Sequence, residues 1–193
     1  MNEITNHAEL TVEKKLEGKY LLNRILMIAA YIAVPILMFF LFALLEDYAG
    51  LTGGGYIAVF FIPIWAFLCP KLVVPLTFPY VDIEEKMDVS GGNLTLTRIY
   101  GKRKSVNYIK VKVADLDAIV PYREEEYKKQ IKEFGTPDRV IECVSSMDHP
   151  DVYCAYYTDE KGKKIVMYFE AVEKALKVFK FLNNKTVVVP VSR

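Results

Sequence analysis

Two stretches without a single charged side chain, residues 25–45 and 51–70, constrain this chain more than any other feature. A helix rises about 1.5 Å per residue, so about 20 apolar residues cross a hydrocarbon core ~30 Å thick. The first stretch is almost entirely Leu, Ile, Met, Phe and Ala, with Pro35 at its middle, a position that predicts a kink. The second contains Pro63 and stops at Pro70-Lys71. The pattern predicts a transmembrane hairpin over residues 25–79, with spans at 25–45 and 51–70. Residues 72–81 are again apolar but carry Pro75 and Pro79, so they are expected as an interfacial exit segment rather than straight helix. Lys71 has the stem to snorkel to headgroups, and Tyr56, Trp65 and Tyr80 are residue types suited to an interface.

Two other readings of the apolar run compete. A buried helical hairpin in a soluble core needs far more chain to cover it than the remainder offers. A cleaved signal peptide has an apolar region of about 7–15 residues and a small-residue cleavage site. Here the run is longer, and Glu46-Asp47 follow it directly. The flanks set the expected orientation. Lys14, Lys15, Lys19 and Arg24 precede the first span, and Lys71, Lys86 and Arg98 follow the second. The turn between them holds two acids and no base. Positive flanks stay in the cytoplasm, so the expectation is a multi-pass protein of the cytoplasmic membrane with both termini inside. Gly50 and Gly53-Gly54-Gly55 serve the external turn, and the glycine run lacks the Lys-Ser/Thr ending of a phosphate loop. Residues 1–24 are expected as a separate cytoplasmic segment, with a surface-lying amphipathic stretch around Leu10, Val12 and Leu16.

From Tyr80 the period changes. Val81 and Ile83 alternate with polar residues, Ser90-Gly91-Gly92-Asn93 signals a turn, and Leu94 and Leu96 open another strand. A polar turn at 101–104 precedes Ile109, Val111 and Val113, which alternate with Lys110 and Lys112. Residues 116–120 read as a strand stopped by Pro121. Residues 124–134 read as a helix closed by Gly135, with Tyr127, Ile131 and Phe134 on one face. A strand at 139–144 and a hairpin of 152–158 with 164–170 follow, then a helix over 171–183 and a final strand at 186–191. The fold class is therefore α+β: the helical hairpin, then a domain over residues 80–193 of mostly antiparallel strands closed by a C-terminal amphipathic helix.

The order of short strands and one terminal helix resembles a pleckstrin-homology-like (PH-like) domain, a bent sheet or open barrel. The whole layout looks like a family of small two-span membrane proteins of clostridial-type bacteria. The resemblance rests on the proline-rich exit after span two, Tyr80-Val81-Asp82-Ile83-Glu84, Ile119-Val120-Pro121-Tyr122, and Phe169-Glu170 before a helix. It implies an architecture and no activity.

Chemistry is sparse. The two histidines are His7 and His149, and no CxxC, HExxH, GxSxG or GxGxxG motif occurs. His149 beside Asp148 and Asp151 makes a poor metal set without distant partners. Glu124-Glu125-Glu126 match the positive end of a helix dipole. Tyr153, Tyr156 and Tyr157 fall in one strand as packing residues, with a ligand groove as the alternative. The sequons at Asn93 and Asn184 would face the cytoplasm. Cys69, Cys143 and Cys154 fit a reducing compartment; a Cys143–Cys154 bridge stays open for an exported domain. These residues predict no enzyme, no cofactor and no metal. A formal net charge of +1 argues against a nucleic-acid partner.

Arg98, Lys102, Arg103 and Lys104 gather around an early hairpin, and they are the candidate contact to anionic lipid headgroups or to a partner. Each base near an anionic leaflet contributes roughly 1 kcal/mol. The expectation is a membrane-anchored interaction module that meets the bilayer and a protein partner or its own copy. The alternative is an accessory subunit of a transport or secretion complex, acting through its spans.

Overall fold

The computed structural model describes residues 7–50, 53–185 and Val187. The chain divides into two compact units: Leu16–Asp82 forms one, and the chain up to Lys15 together with the chain from Ile83 forms the other.

The apolar unit is helical. Helix α1, Gly18–Ala49, runs unbroken through Pro35 and closes on Gly50 in the left-handed region, φ 65°. Helix α2, Gly54–Leu68, begins after Gly53 and contains Pro63. The helical path does not end at Pro70. A π turn, Cys69–Val73, leads into α3, Val74–Thr77, and a 3-10 turn, Phe78–Val81. The exit segment expected at 72–81 is therefore helical. Each proline removes one N–H and crowds the carbonyl four residues earlier, and a local switch of helical pitch absorbs that crowding. Among the described residues, two helices are long and apolar enough to cross a membrane, Gly18–Tyr48 and Val59–Val81.

Pro35 leaves the carbonyl of Tyr31 without its helical donor. The Trp65 indole Nε1 donates to that carbonyl from α2 at 3.0 Å. Trp65, expected at an interface, thus ties the two helices and stacks on Phe61 with ring centroids 6.1 Å apart. Thr77 Oγ1 donates to Val73 O at 2.7 Å, so Tyr31 OH is the donor in its 2.6 Å bond to Thr77 Oγ1. The Arg24 guanidinium lies over the Phe78 ring, 5.1 Å from its centroid.

The second unit is built of two four-stranded sheets. The first has the order β1 (His7–Glu13), β2 (Ile83–Ser90), β3 (Asn93–Tyr100), β4 (Lys104–Lys112), all antiparallel. The second has the order β5 (Ala118–Pro121), β7 (Val152–Thr158), β8 (Lys164–Glu170), β6 (Arg139–Cys143). Strands β6 and β8 are parallel and the other neighbours antiparallel. Helix α4, Glu125–Phe134, stands between β5 and β6, and α5, Glu173–Leu182, follows β8.

Strand β1 is the main departure from the expectation at the N-terminus. Residues 7–13 are no separate surface-lying stretch; they pair with β2 from His7↔Ser90 to Glu13↔Glu84. Ala8, Leu10 and Val12 alternate with exposed residues, which suits a strand with one buried face. The apolar unit is thus an insertion between two hydrogen-bonded neighbours of one sheet.

The core lies between the sheets. Met87, Val89, Leu94, Leu96 and Val111 meet Ile119, Ile141, Met167 and Phe169, with Ala175, Leu176 and Phe179 of α5 closing the side. Tyr153 and Tyr157 belong to this core, whereas Tyr156 faces the other side, under α4, with Val120, Cys154 and Val166. All three cysteines are free and buried. Cys143 and Cys154 are not on neighbouring strands, because β8 lies between β6 and β7, and they belong to opposite faces. A bridge between them is ruled out by that geometry. Of the last expected strand, Val187 bridges Ile119 in parallel, and the rest lies outside the described residues.

Candidate functional site

The first sheet has two chemically different ends, and strand register defines them. At one end the chain leaves for the apolar unit and returns from it: Lys14 N–H donates to Ile83 O at 3.0 Å. Ile83 lies opposite Tyr100, and Tyr100 opposite Lys104. The β3–β4 turn, residues 101–103, therefore sits at the same end as the two connections. Lys102 occupies the left-handed region there, φ 59°, and its Nζ lies 3.7 Å from Glu84 Oε1. Lys102, Arg103 and Lys104 are all exposed.

Arg98 is not part of this exposed group. Its position follows Leu94 and Leu96 in the strand alternation, so it faces inward. There its Nε and Nη2 donate to Glu85 Oε1 at 2.8 and 2.6 Å. Glu85 is fully buried, and its Oε2 lacks a hydrogen-bond partner among the described residues. Burial pushes the Glu85 carboxyl above the ordinary range, and the Arg98 guanidinium pulls it back only in part. The same guanidinium lies over the Tyr108 ring, 4.9 Å from the centroid. Arg98 is thus a structural partner, and Lys102, Arg103 and Lys104 are the members of the predicted cluster that remain together.

The same end holds the loop after β6. Lys15 N–H donates to Ser145 O at 3.0 Å, and Lys14 Nζ donates to Val144 O at 3.0 Å. Ser145 N–H donates to Glu170 Oε1 at 2.6 Å, and Glu170 is buried. His149 Nδ1 lies 3.6 Å from Glu170 Oε2 and accepts the Asp151 N–H at 3.3 Å. His149 therefore lies beside a buried carboxylate two strands away, a proximity that sequence spacing could not reveal. Arg123 reaches this loop through Asp148.

At the far end, Asn93, Lys110, Lys112, Asp115 and the β7–β8 turn line an open cleft of about 740 Å³. Its walls mix lysines with Asp159 and Glu160, so it presents no single charge to a ligand. The tyrosines of β7 pack, as the alternation of the strand suggests: Tyr153 and Tyr157 are core residues, Tyr157 also reaching the wall of the cleft, and Tyr156 packs against Phe134 with centroids 4.7 Å apart. Glu125 and Glu126 do occupy the first turn of α4.

The family described as Bacterial PH-like domain (DUF6106) matches residues 4–189. No curated protein and no solved structure matches the chain. The match spans both sheets, the C-terminal helix and the inserted apolar helices, so it covers the architecture as a whole. The chain belongs to this family of bacterial PH-like domains.

Proposed function

We propose that this protein is a membrane-anchored, non-enzymatic interaction module whose basic β3–β4 turn meets anionic lipid headgroups. PH-like domains are in general interaction modules rather than catalysts. The carrying observation is the shared end of the first sheet: the two connections to the apolar helices and the turn with Lys102, Arg103 and Lys104 lie together. A hairpin that crosses a bilayer returns to the side it left, so β1 and β2 lie on one side of the membrane. Lys19, Arg24 and Lys71 flank the spans, and Glu46 and Asp47 lie at the turn, which supports the cytoplasmic side. Three bases close to an anionic leaflet contribute roughly 3 kcal/mol. In a chain already anchored, that energy orients the domain rather than recruits it.

Trypsin tests the reading. Full-length protein in nanodiscs containing phosphatidylglycerol resists cleavage at 102–104, and in phosphatidylcholine nanodiscs it is cut there readily. Equal cleavage in both lipids removes the headgroup contact. Extraction of the chain by alkaline carbonate removes the anchor.

A further inference from the structure

The two outer strands of the first sheet carry opposite charge. Among the described residues these are β1 and β4. Strand β1, His7–Glu13, holds Glu9 and Glu13 on its exposed face and no Lys or Arg. From Lys102 through Lys112 there are five bases and no acid. Register puts the exposed residues Glu9, Glu13, Lys110 and Lys112 on the solvent face, whereas Lys104, exposed as well, pairs with Tyr100 in the inward phase. Lys86 holds the Glu9 carboxylate on that face at 2.8 Å.

Register relates the two edges row by row. Glu9 pairs with Asp88, Asp88 with Thr95, and Thr95 with Lys110. Glu13 runs through Glu84 and Ile99 to Ser105. A second copy set beside the first without rotation would bring its Glu9 to Lys110 and its Glu13 to Ser105. The meander has an even number of strands, so β1 and β4 run in opposite directions. Such a copy therefore continues the antiparallel ladder. It also keeps its own connections to the apolar helices at the same end.

We propose that copies of this chain associate head to tail, the acidic β1 edge of one against the basic β4 edge of the next. This rests on the anchored reading above, because a common membrane face demands that all connections point one way. Two β4 edges joined antiparallel would point them in opposite directions and would also oppose like charges, which destabilises a ladder. Lysine on an edge strand ordinarily keeps sheets apart. Here that repulsion acts on like edges and spares the unlike pair. The bulge at Tyr108, whose carbonyl accepts Arg139 Nη2 at 2.9 Å, splits β4 into two short pairing stretches. A head-to-tail contact does not close on itself as a twofold dimer does, so it builds rings or open rows.

Cysteine crosslinking in membranes decides it. The three native thiols are buried and stay silent. Thr11 and Asn107 share a row through Lys86 and Thr97. Full-length Thr11→Cys and Asn107→Cys chains are oxidised singly and mixed, and Glu13→Cys mixed with Asn107→Cys covers a slip of register. The expected result is a disulfide dimer in the mixture, little from either chain alone, and a ladder of larger species from the doubly substituted chain. Lys110→Glu lowers the yield roughly three- to tenfold, and Glu9→Lys with Lys110→Glu restores it. Crosslinking of either single chain as strong as the mixture overturns the proposal. So does its absence in both mixtures, which includes an edge taken by an unrelated acidic protein. Carbonate washing of the same membranes reports the anchor separately, so loss of anchoring and loss of the edge contact are told apart.

Discussion

Arg98 and Glu85 face each other across β2 and β3 inside the sheet, joined by two hydrogen bonds to a single carboxylate oxygen. Removing one partner of a buried pair leaves the other charge uncompensated, at a cost of about 3–5 kcal/mol. Arg98→Ala is therefore expected to destabilise the β domain by about that much at neutral pH. The loss is smaller in acid, where Glu85 takes up a proton. Urea unfolding at two pH values measures both.

The direction of the Glu85 shift fixes a pH effect of its own. Burial raises its folded-state carboxyl above the ordinary value. The folded chain then binds more protons than the unfolded chain between the two values, and stability falls as pH rises through that window. Glu85→Gln removes this slope. The difference in midpoint between wild type and Glu85→Gln should change as pH climbs from about 4.5 and level off above the folded-state value. A difference that stays constant across the range refutes the assignment.

Cys143 and Cys154 are held up to about 12 by burial. Thiolate is the reactive form, so both should resist maleimide at pH 8 in the folded protein. Both should label once denaturant is added. Mass spectrometry counts the adducts, and modification of either in folded protein would show that its face opens.

In the apolar unit the Trp65 indole replaces the donor that Pro35 removed from Tyr31. Trp65→Phe leaves that carbonyl unsatisfied, and interhelical bonds in membranes contribute about 0.6 kcal/mol on average and ~1.7 at most. Pro35→Ala returns a helical donor to Tyr31. The cost of Trp65→Phe should therefore shrink in the Pro35→Ala background, as read by detergent-induced unfolding in bicelles. Equal cost in both backgrounds would mean that Trp65 acts by packing alone.

Much of this fold can be read from local pattern. The uncharged runs predict two apolar helices, the β7–β8 hairpin announces itself by alternation about Asp159-Glu160-Lys161-Gly162, and α4 ends at Gly135 as its capping predicts. Strand β1 escapes such reading because its partner β2 lies beyond the entire apolar unit, and alternation of Ala8, Leu10 and Val12 is a short signal. The helical path through Pro70, Pro75 and Pro79 escapes because each proline taken alone predicts a stop. Sequence proximity alone groups Arg98 with the turn. The inward phase of Leu94 and Leu96 carried the signal of its buried role, together with the matching phase of Glu85, Met87 and Val89. The link from Lys15 through Ser145 to Glu170 and His149 joins elements that only tertiary structure brings together.

Placing the apolar helices between β1 and β2 imposes a schedule on biosynthesis. On the anchored reading proposed above, strand β1 leaves the ribosome before both helices and waits, unpaired, while they are threaded into the bilayer and β2 is made. Only a chain whose helices have turned back to the starting side can complete the first sheet. A failed insertion would strand β1 across the membrane from its partner and leave Met87 and Val89 with an open flank. On that reading, correct folding of the β domain is a readout that insertion has finished.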